Sequence, residues 1–333
     1  MLDTVRLWTK DFAVPNREGW RRNWQEDVTT GEVMGETWSR ILPSNSCLKV
    51  RANSGALFYD VHSLPGLVHG SSLHELHEDE QELALAAMRK ELREGGVDYD
   101  EAALASWRLS RVDFCRNIKV DYHASEYIKL LELGDMPYMR PKHEHCQTAL
   151  WFSGEAEFTC YDKVKAVMDK GQALAAEVDA TTPRNIVRIE ARYKNARAID
   201  NRTGDKSTGE AGCRTFTDAW SSRLAKRLLL ENFDKVANIK AENVPLISFD
   251  LARLQQLKAE HSRYFVTLWL FEAGMDAKLS EYGGDIDAIT NMLSDVCSRT
   301  QLHDIKRQLK GRIACRQPER VRLLAELRDK LAS

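Results

Sequence analysis

No two cysteines stand at CxxC spacing in this 333-residue chain, and its seven cysteines are scattered and odd in number. That pattern excludes a disulfide framework and the usual zinc cages, and leaves reduced, mostly packed thiols. KHEHC gathers His143, His145 and Cys146, but no fourth ligand follows at a zinc-site spacing. Also absent is any run of about 18 apolar residues, so there is no candidate membrane helix. The opening MLDTVRLWTKDF carries acids and a tryptophan where a signal peptide has a basic start and an apolar middle, so a cytoplasmic protein is expected. Internal repeats and low-complexity tracts are missing too.

Strong net charge is lacking as well: the formal value is −2. The mean conceals segregation. Residues 74–101 carry ten acids against three bases, residues 184–227 eleven bases against five acids, and residues 299–333 ten bases against four acids. Two basic surfaces and one acidic one suit a protein that meets a phosphate backbone on one side, although charged helices are also simply solvated faces.

What is present is a strand-rich first part. LKVRANSGALFYDVH reads as two strands joined through Asn53, Ser54 and Gly55. HSLPGLVHGSSLHELHEDE reads as a Pro- and Gly-bearing loop, and EQELALAAMRKELREG as an acidic helix stopped by Gly95 and Gly96. WRLSRVDFCRNIKV is a strand, ASEYIKLLEL a helix, and CQTALWFSG with EFTCYDKV a hairpin across Ser153 and Gly154. NIVRIEARYKN alternates most clearly, with Val187, Ile189 and Ala191 on one face and Arg188, Glu190, Arg192 and Lys194 on the other. The stretch 199–215 is polar and reads as a loop or hinge. Helical spacing dominates from 216 onward. The expected organisation is an α+β domain over 1–198, with a largely antiparallel sheet and flanking helices, followed by a smaller helical domain over 216–333.

Three of these strands carry an ionisable group on a polar face. SRVDFC sets Asp113 beside Arg111, FTCYDK sets Tyr161 beside Lys163, and RIEARYK sets Glu190 between Arg188 and Arg192. Were the strands neighbours, two carboxylates, a phenol and several cations would share one surface. Such a set suits phosphodiester chemistry. Asp113 and Glu190 could hold Mg²⁺ or Mn²⁺, Lys163 could favour the Tyr161 phenolate, and Arg111, Arg188, Arg192 and Lys194 could meet DNA phosphates. The same residues also read as a packing tyrosine and a set of surface ion pairs.

Several blocks, in order, resemble the replication initiators of filamentous phages (the gene II/X family) and, more distantly, the rolling-circle initiators of small plasmids. These are MLDTVRL, SLPGLVHGSSLHEL, LSRVDFC, ALWFSGEAEFTCYDKVKAV and IVRIEARYK. YFVTLWLFEAGMDAKLSEY has a helix-Gly-helix likeness to the carboxy-terminal region of that family. The resemblance implies a rolling-circle nickase in a bacterial host cytoplasm, working on duplex and single-stranded origin DNA with host helicase and single-strand-binding protein. It implies that Tyr161 attacks one strand and keeps the 5′ phosphate, with Lys163 in the site and Asp113 and Glu190 as metal or acid/base carboxylates. Two histidines at the spacing of His143 and His145 bind metal in related nickases. The competing expectation is a non-catalytic, sequence-specific DNA-binding regulator that uses its basic carboxy-terminal helices.

Overall fold

The computed structural model describes residues 1–26, 33–142, 147–169, 185–204, 211–237, 287, 290–291 and 299–333. Its strands are β1 (Leu2–Thr9), β2 (Arg21–Glu26), β3 (Val33–Ile41), β4 (Cys47–Arg51), β5 (Ala56–Val61), β6 (Arg108–Lys119), β7 (Arg140–Pro141), β8 (Thr148–Phe152), β9 (Ala156–Asp162) and β10 (Ile186–Tyr193). They form one sheet in the order β2-β3-β4-β5-β1-β6-β10-β9-β8-β7, with antiparallel pairing throughout. The expected α+β architecture, a largely antiparallel sheet with flanking helices, is present.

Period-2 alternation explains how the sheet sits. Val112, Phe114 and Ile118 of β6, Val187, Ile189 and Ala191 of β10, and Phe158 and Cys160 of β9 are all buried on one face. That face is packed by α2 (Gln81–Glu94), α3 (Ala124–Leu131), α7 (Ser222–Ala237) and the end of α8 (Arg299–Ala332). Leu323, Leu327 and Leu331 recur every four residues on α8, which places them on one stripe, and they join the same hydrophobic cluster as the sheet. The stretch 264–282, with its likeness to a carboxy-terminal region, lies outside the described residues. Among the described residues no helix is long and apolar enough to cross a membrane.

Local chemistry corrects three expectations. The segment read as a Pro/Gly loop begins as a helix, α1 (Leu64–His69). Ser63 Oγ accepts from Gly66 N at 3.1 Å, Pro65 sits in the first turn, and Gly70 ends the helix at φ +72°. Proline near a helix start and glycine just past its end are favoured there, so the same residues that mark loops here mark the two helix termini. Lys163, read as a strand residue, is the first residue of α4 (Lys163–Asp169). Asp162 closes β9, and its Oδ1 accepts from Lys165 N at 3.0 Å, an interaction that starts a helix instead of continuing a strand. Residues 199–203, read as loop, belong to α5 (Ala196–Thr203), which Asn195 caps by accepting from Ala198 N at 2.8 Å. Residues 205–210 of the expected hinge lie outside the described residues. The short helix α6 (Phe216–Ala219) leads into α7.

Candidate active site

The strands that carry Asp113, Glu190 and Tyr161 are consecutive in the sheet, in the order β6-β10-β9. Arg192 pairs with Asp113 and Glu157, Glu190 with Cys115 and Thr159, and Arg188 with Asn117 and Tyr161. Directly opposed residues share a face, so these side chains collect on the side away from the helices. The three strands are thus neighbours, and Asp113, Glu190 and Tyr161 share one face.

At its centre, Tyr161 Oη donates to Glu190 Oε1 at 2.7 Å. Arg188 Nε donates to the same oxygen at 2.6 Å. Arg188 is fully buried, forms an ion pair with Asp3 at 2.7 Å, and donates to Ser72 O at 3.3 Å and Asn117 Oδ1 at 3.2 Å. It has no surface to offer a phosphate, and it clamps the base of the site instead of contacting DNA from outside. Glu190 Oε2 lies 3.7 Å from Arg192, which links this group to a second one. There Asp113, also fully buried, accepts from Arg111 Nε at 3.0 Å, Arg111 Nη2 at 2.7 Å and Arg192 Nε at 2.8 Å. Arg192 also pairs with Glu157, which Lys194 approaches at 2.5 Å.

The electrostatics follow from this packing. Burial, reinforced by the negative charge of Glu190, holds the Tyr161 hydroxyl well above the ordinary phenol value. Tyr161 therefore stands as a neutral donor with an ionisable acceptor on its proton. Burial also pushes the Asp113 carboxyl up, against the pull of Arg111 and Arg192. Arg111 and Arg192 keep 24% and 30% of their side chains exposed, and so remain within reach of a ligand on this face.

The carboxylates do not fit a divalent cation as they stand. Both Asp113 oxygens already accept guanidinium protons, and Glu190 Oε1 is shared by Tyr161 and Arg188. A cation would have to displace an arginine from Asp113, and at Glu190 it would find one oxygen, Oε2, with Arg192 3.7 Å away, which is too few ligands to hold it. Among the described residues no group of three or more His, Cys, Asp and Glu assembles as a ligand set. His143, His145 and Cys146 lie outside the described residues.

Lys163 has a different setting from the one its sequence position suggests. It is buried, and its Nζ donates to Ser72 Oγ at 3.1 Å on the segment after α1. That segment is tied down again where Asn117 Nδ2 donates to Leu73 O at 2.9 Å and Asn117 N to Glu75. Sequence reasoning missed Ser72, Asn117, Glu157 and Asp3. Asn117 and Glu157 were discoverable, since each lies four residues from a chosen strand residue and so on its face. Asp3 was not, because it reaches this face at a register shift between Leu2 and Thr4 in the β1–β6 pairing.

No family model, curated protein or solved structure matches the chain.

Proposed function

We propose that the chain nicks and rejoins one DNA strand, with Tyr161 as nucleophile and Glu190 as the group that receives its proton. The observation that carries this reading is the 2.7 Å hydrogen bond from Tyr161 Oη to Glu190 Oε1, set beside the arginines of the adjacent strands β6 and β10. A phenol with a raised pKa is a weak nucleophile until a base takes its proton, and a buried carboxylate at hydrogen-bond distance is placed for that transfer. The ordered likeness of these strands to rolling-circle initiators supports the same reading.

In this step the Tyr161 oxygen forms a bond to the phosphorus of a phosphodiester while the bond from phosphorus to the 3′ oxygen breaks. The phenolic proton passes to Glu190. The departing 3′ oxygen gains a proton through solvent and leaves as a 3′ hydroxyl, ready to prime synthesis. The tyrosyl phosphoester keeps the energy of the broken bond, so attack by a 3′ hydroxyl reverses the step and reseals the strand. Arg192 and Arg111, half-exposed beside the pair, meet the phosphate charge in the transition state. Lys163 and Arg188 both bond Ser72, which fixes the end of the site.

The test uses the full chain with the supercoiled replicon that encodes it, with EDTA, Mg²⁺ or Mn²⁺. The expected products are nicked circles and a denaturant-resistant protein–DNA adduct whose nucleotide maps to Tyr161 by mass spectrometry. Tyr161→Phe should abolish the adduct. An adduct that persists in that variant, or one mapped to another residue, would overturn the assignment. DNA binding without any nicked or linked product would favour the non-catalytic regulator.

A further inference from the structure

The polar face of the sheet does not end at the Tyr161 cluster. On β1, Arg6 lies opposite Arg111 of β6 and Asp60 of β5 on this face, and Trp8, two positions further on, points to the same side with Phe58 of β5 as its cross-strand partner. The two rings stack with centroids 6.5 Å apart and an interplanar angle of 29°. A guanidinium covers each of them. Arg108, the partner of Trp8 on β6, stands 5.6 Å from the indole centroid, and Arg51 of β4 stands 4.6 Å from the phenyl centroid. Both arginines are exposed and both rings are half-buried. Neither ring belongs to the hydrophobic cluster under the helices.

Aromatic residues outside the core, flanked by arginines on a sheet face, match the physical requirements for holding unpaired bases. Every base presents a π-face that stacks on an aromatic ring or a guanidinium plane, and the cations follow the backbone. The route back to Tyr161 is basic as well. Going from β9 across β10 and β6 to β1, the exposed parts of Arg192, Arg111 and Arg108 lie between the phenol and the indole. The acids on and beside this route are paired with arginine or lysine: Asp113 with Arg111 and Arg192, Glu157 with Arg192 and Lys194, Glu190 with Arg188, and Asp60 of β5 with Arg6 and Lys49. Nine residues of β6 separate the level of Tyr161 from that of Trp8, a distance on the order of 30 Å at ordinary strand rise.

We infer that single-stranded DNA lies diagonally across this face, its bases stacked at Trp8 and Phe58 and its phosphates running over Arg51, Arg108, Arg111 and Arg192 toward Tyr161. This rests on the reading that the chain acts on DNA, and it adds the place on the sheet that grips the unpaired strand. A duplex keeps its bases stacked on one another and cannot use the ring pair.

The experiment is an anisotropy titration of the full chain with a fluorescein-labelled oligothymidylate about 20 nucleotides long, and with a duplex of the same length. Wild type should bind the single strand more tightly. Trp8→Leu should weaken that binding about ten-fold or more, and the double variant Arg51→Gln, Arg108→Gln, altered only at exposed positions, should do the same. If Trp8→Leu fails to fold, judged by circular dichroism, the arginine pair decides. Wild-type affinity in folded variants, equal binding of duplex, or equal competition by polyglutamate would each overturn the inference. The two readings fail separately. Tight oligothymidylate binding with no tyrosyl adduct sinks only the nicking reading, whereas unchanged adduct formation and affinity in both variants sinks only the track.

Discussion

One phenol and one buried guanidinium meet on a single oxygen of Glu190, and this decides what the carboxylate can do. Alternation along IVRIEARYK puts Glu190 and Arg188 on a common face, and that much is legible in the sequence. It leaves open whether the face is solvated, and the natural expectation for such a run of charges is a wet ionic surface. In the fold, Arg188 and Glu190 are buried, because the segment after α1 and the bulged start of β1 close over them. Those contacts span more than a hundred positions in the chain, so no local pattern signals them. Glu190→Gln keeps an acceptor for Tyr161 but removes the group that can take its proton, and it leaves Arg188 with Asp3 as its remaining carboxylate. Adduct formation should be lost. Chemical denaturation should show destabilisation of about 3 kcal/mol, at the lower edge of the cost of breaking a buried ion pair, since one partner is retained. Nicking at the wild-type rate well below the unfolding transition would remove Glu190 from the chemistry.

Among the elements, strands were read more accurately than their ends. The period of two identifies β6, β9 and β10 without ambiguity, and the turn at Asn53, Ser54 and Gly55 is signalled by residues suited to it, Gly55 taking φ +56°. Boundaries were misread where a polar side chain caps a helix. Asp162 and Ser63 each convert an apparent continuation or loop into a helix start, an outcome set by a single hydrogen bond. The carboxy-terminal helix poses a separate question of attachment. Its final turns place Leu327, fully buried, in the core, while Glu326 accepts from Tyr127 Oη at 2.6 Å and Arg328 pairs with Asp234 of α7 at 2.7 Å. Exposed pairs such as the last contribute little, so the leucines provide the attachment. Leu327→Ala should therefore cost about 2–5 kcal/mol in urea denaturation. A loss below about 1 kcal/mol would mean that the helix end packs against the sheet without stabilising it.

For the whole molecule, a balanced net charge conceals a sheet with two unlike faces, one apolar and packed by helices, the other ionic with its acids held down by arginines. Composition could not reveal this, since it counts Asp60, Asp113 and Glu157 as though they faced water. Nor could it reveal the ring pair, because Trp8 and Phe58 meet only through the β1–β5 pairing, fifty residues apart in the chain. The arrangement has a thermodynamic consequence. Each phosphate neutralised on a single strand releases counterions and contributes a slope of roughly −0.7 to the plot of log affinity against log salt. If Arg51, Arg108, Arg111 and Arg192 each meet one phosphate, the slope for oligothymidylate should be about −3, and Arg108→Gln should bring it to about −2. Trp8→Leu should lower the affinity at every salt concentration while leaving the slope near −3, since stacking releases few ions. That pair of responses separates phosphate contact from base stacking on the same face. A flat salt dependence, or a Trp8→Leu variant whose loss vanishes at high salt, would contradict this division of labour between the arginines and the rings.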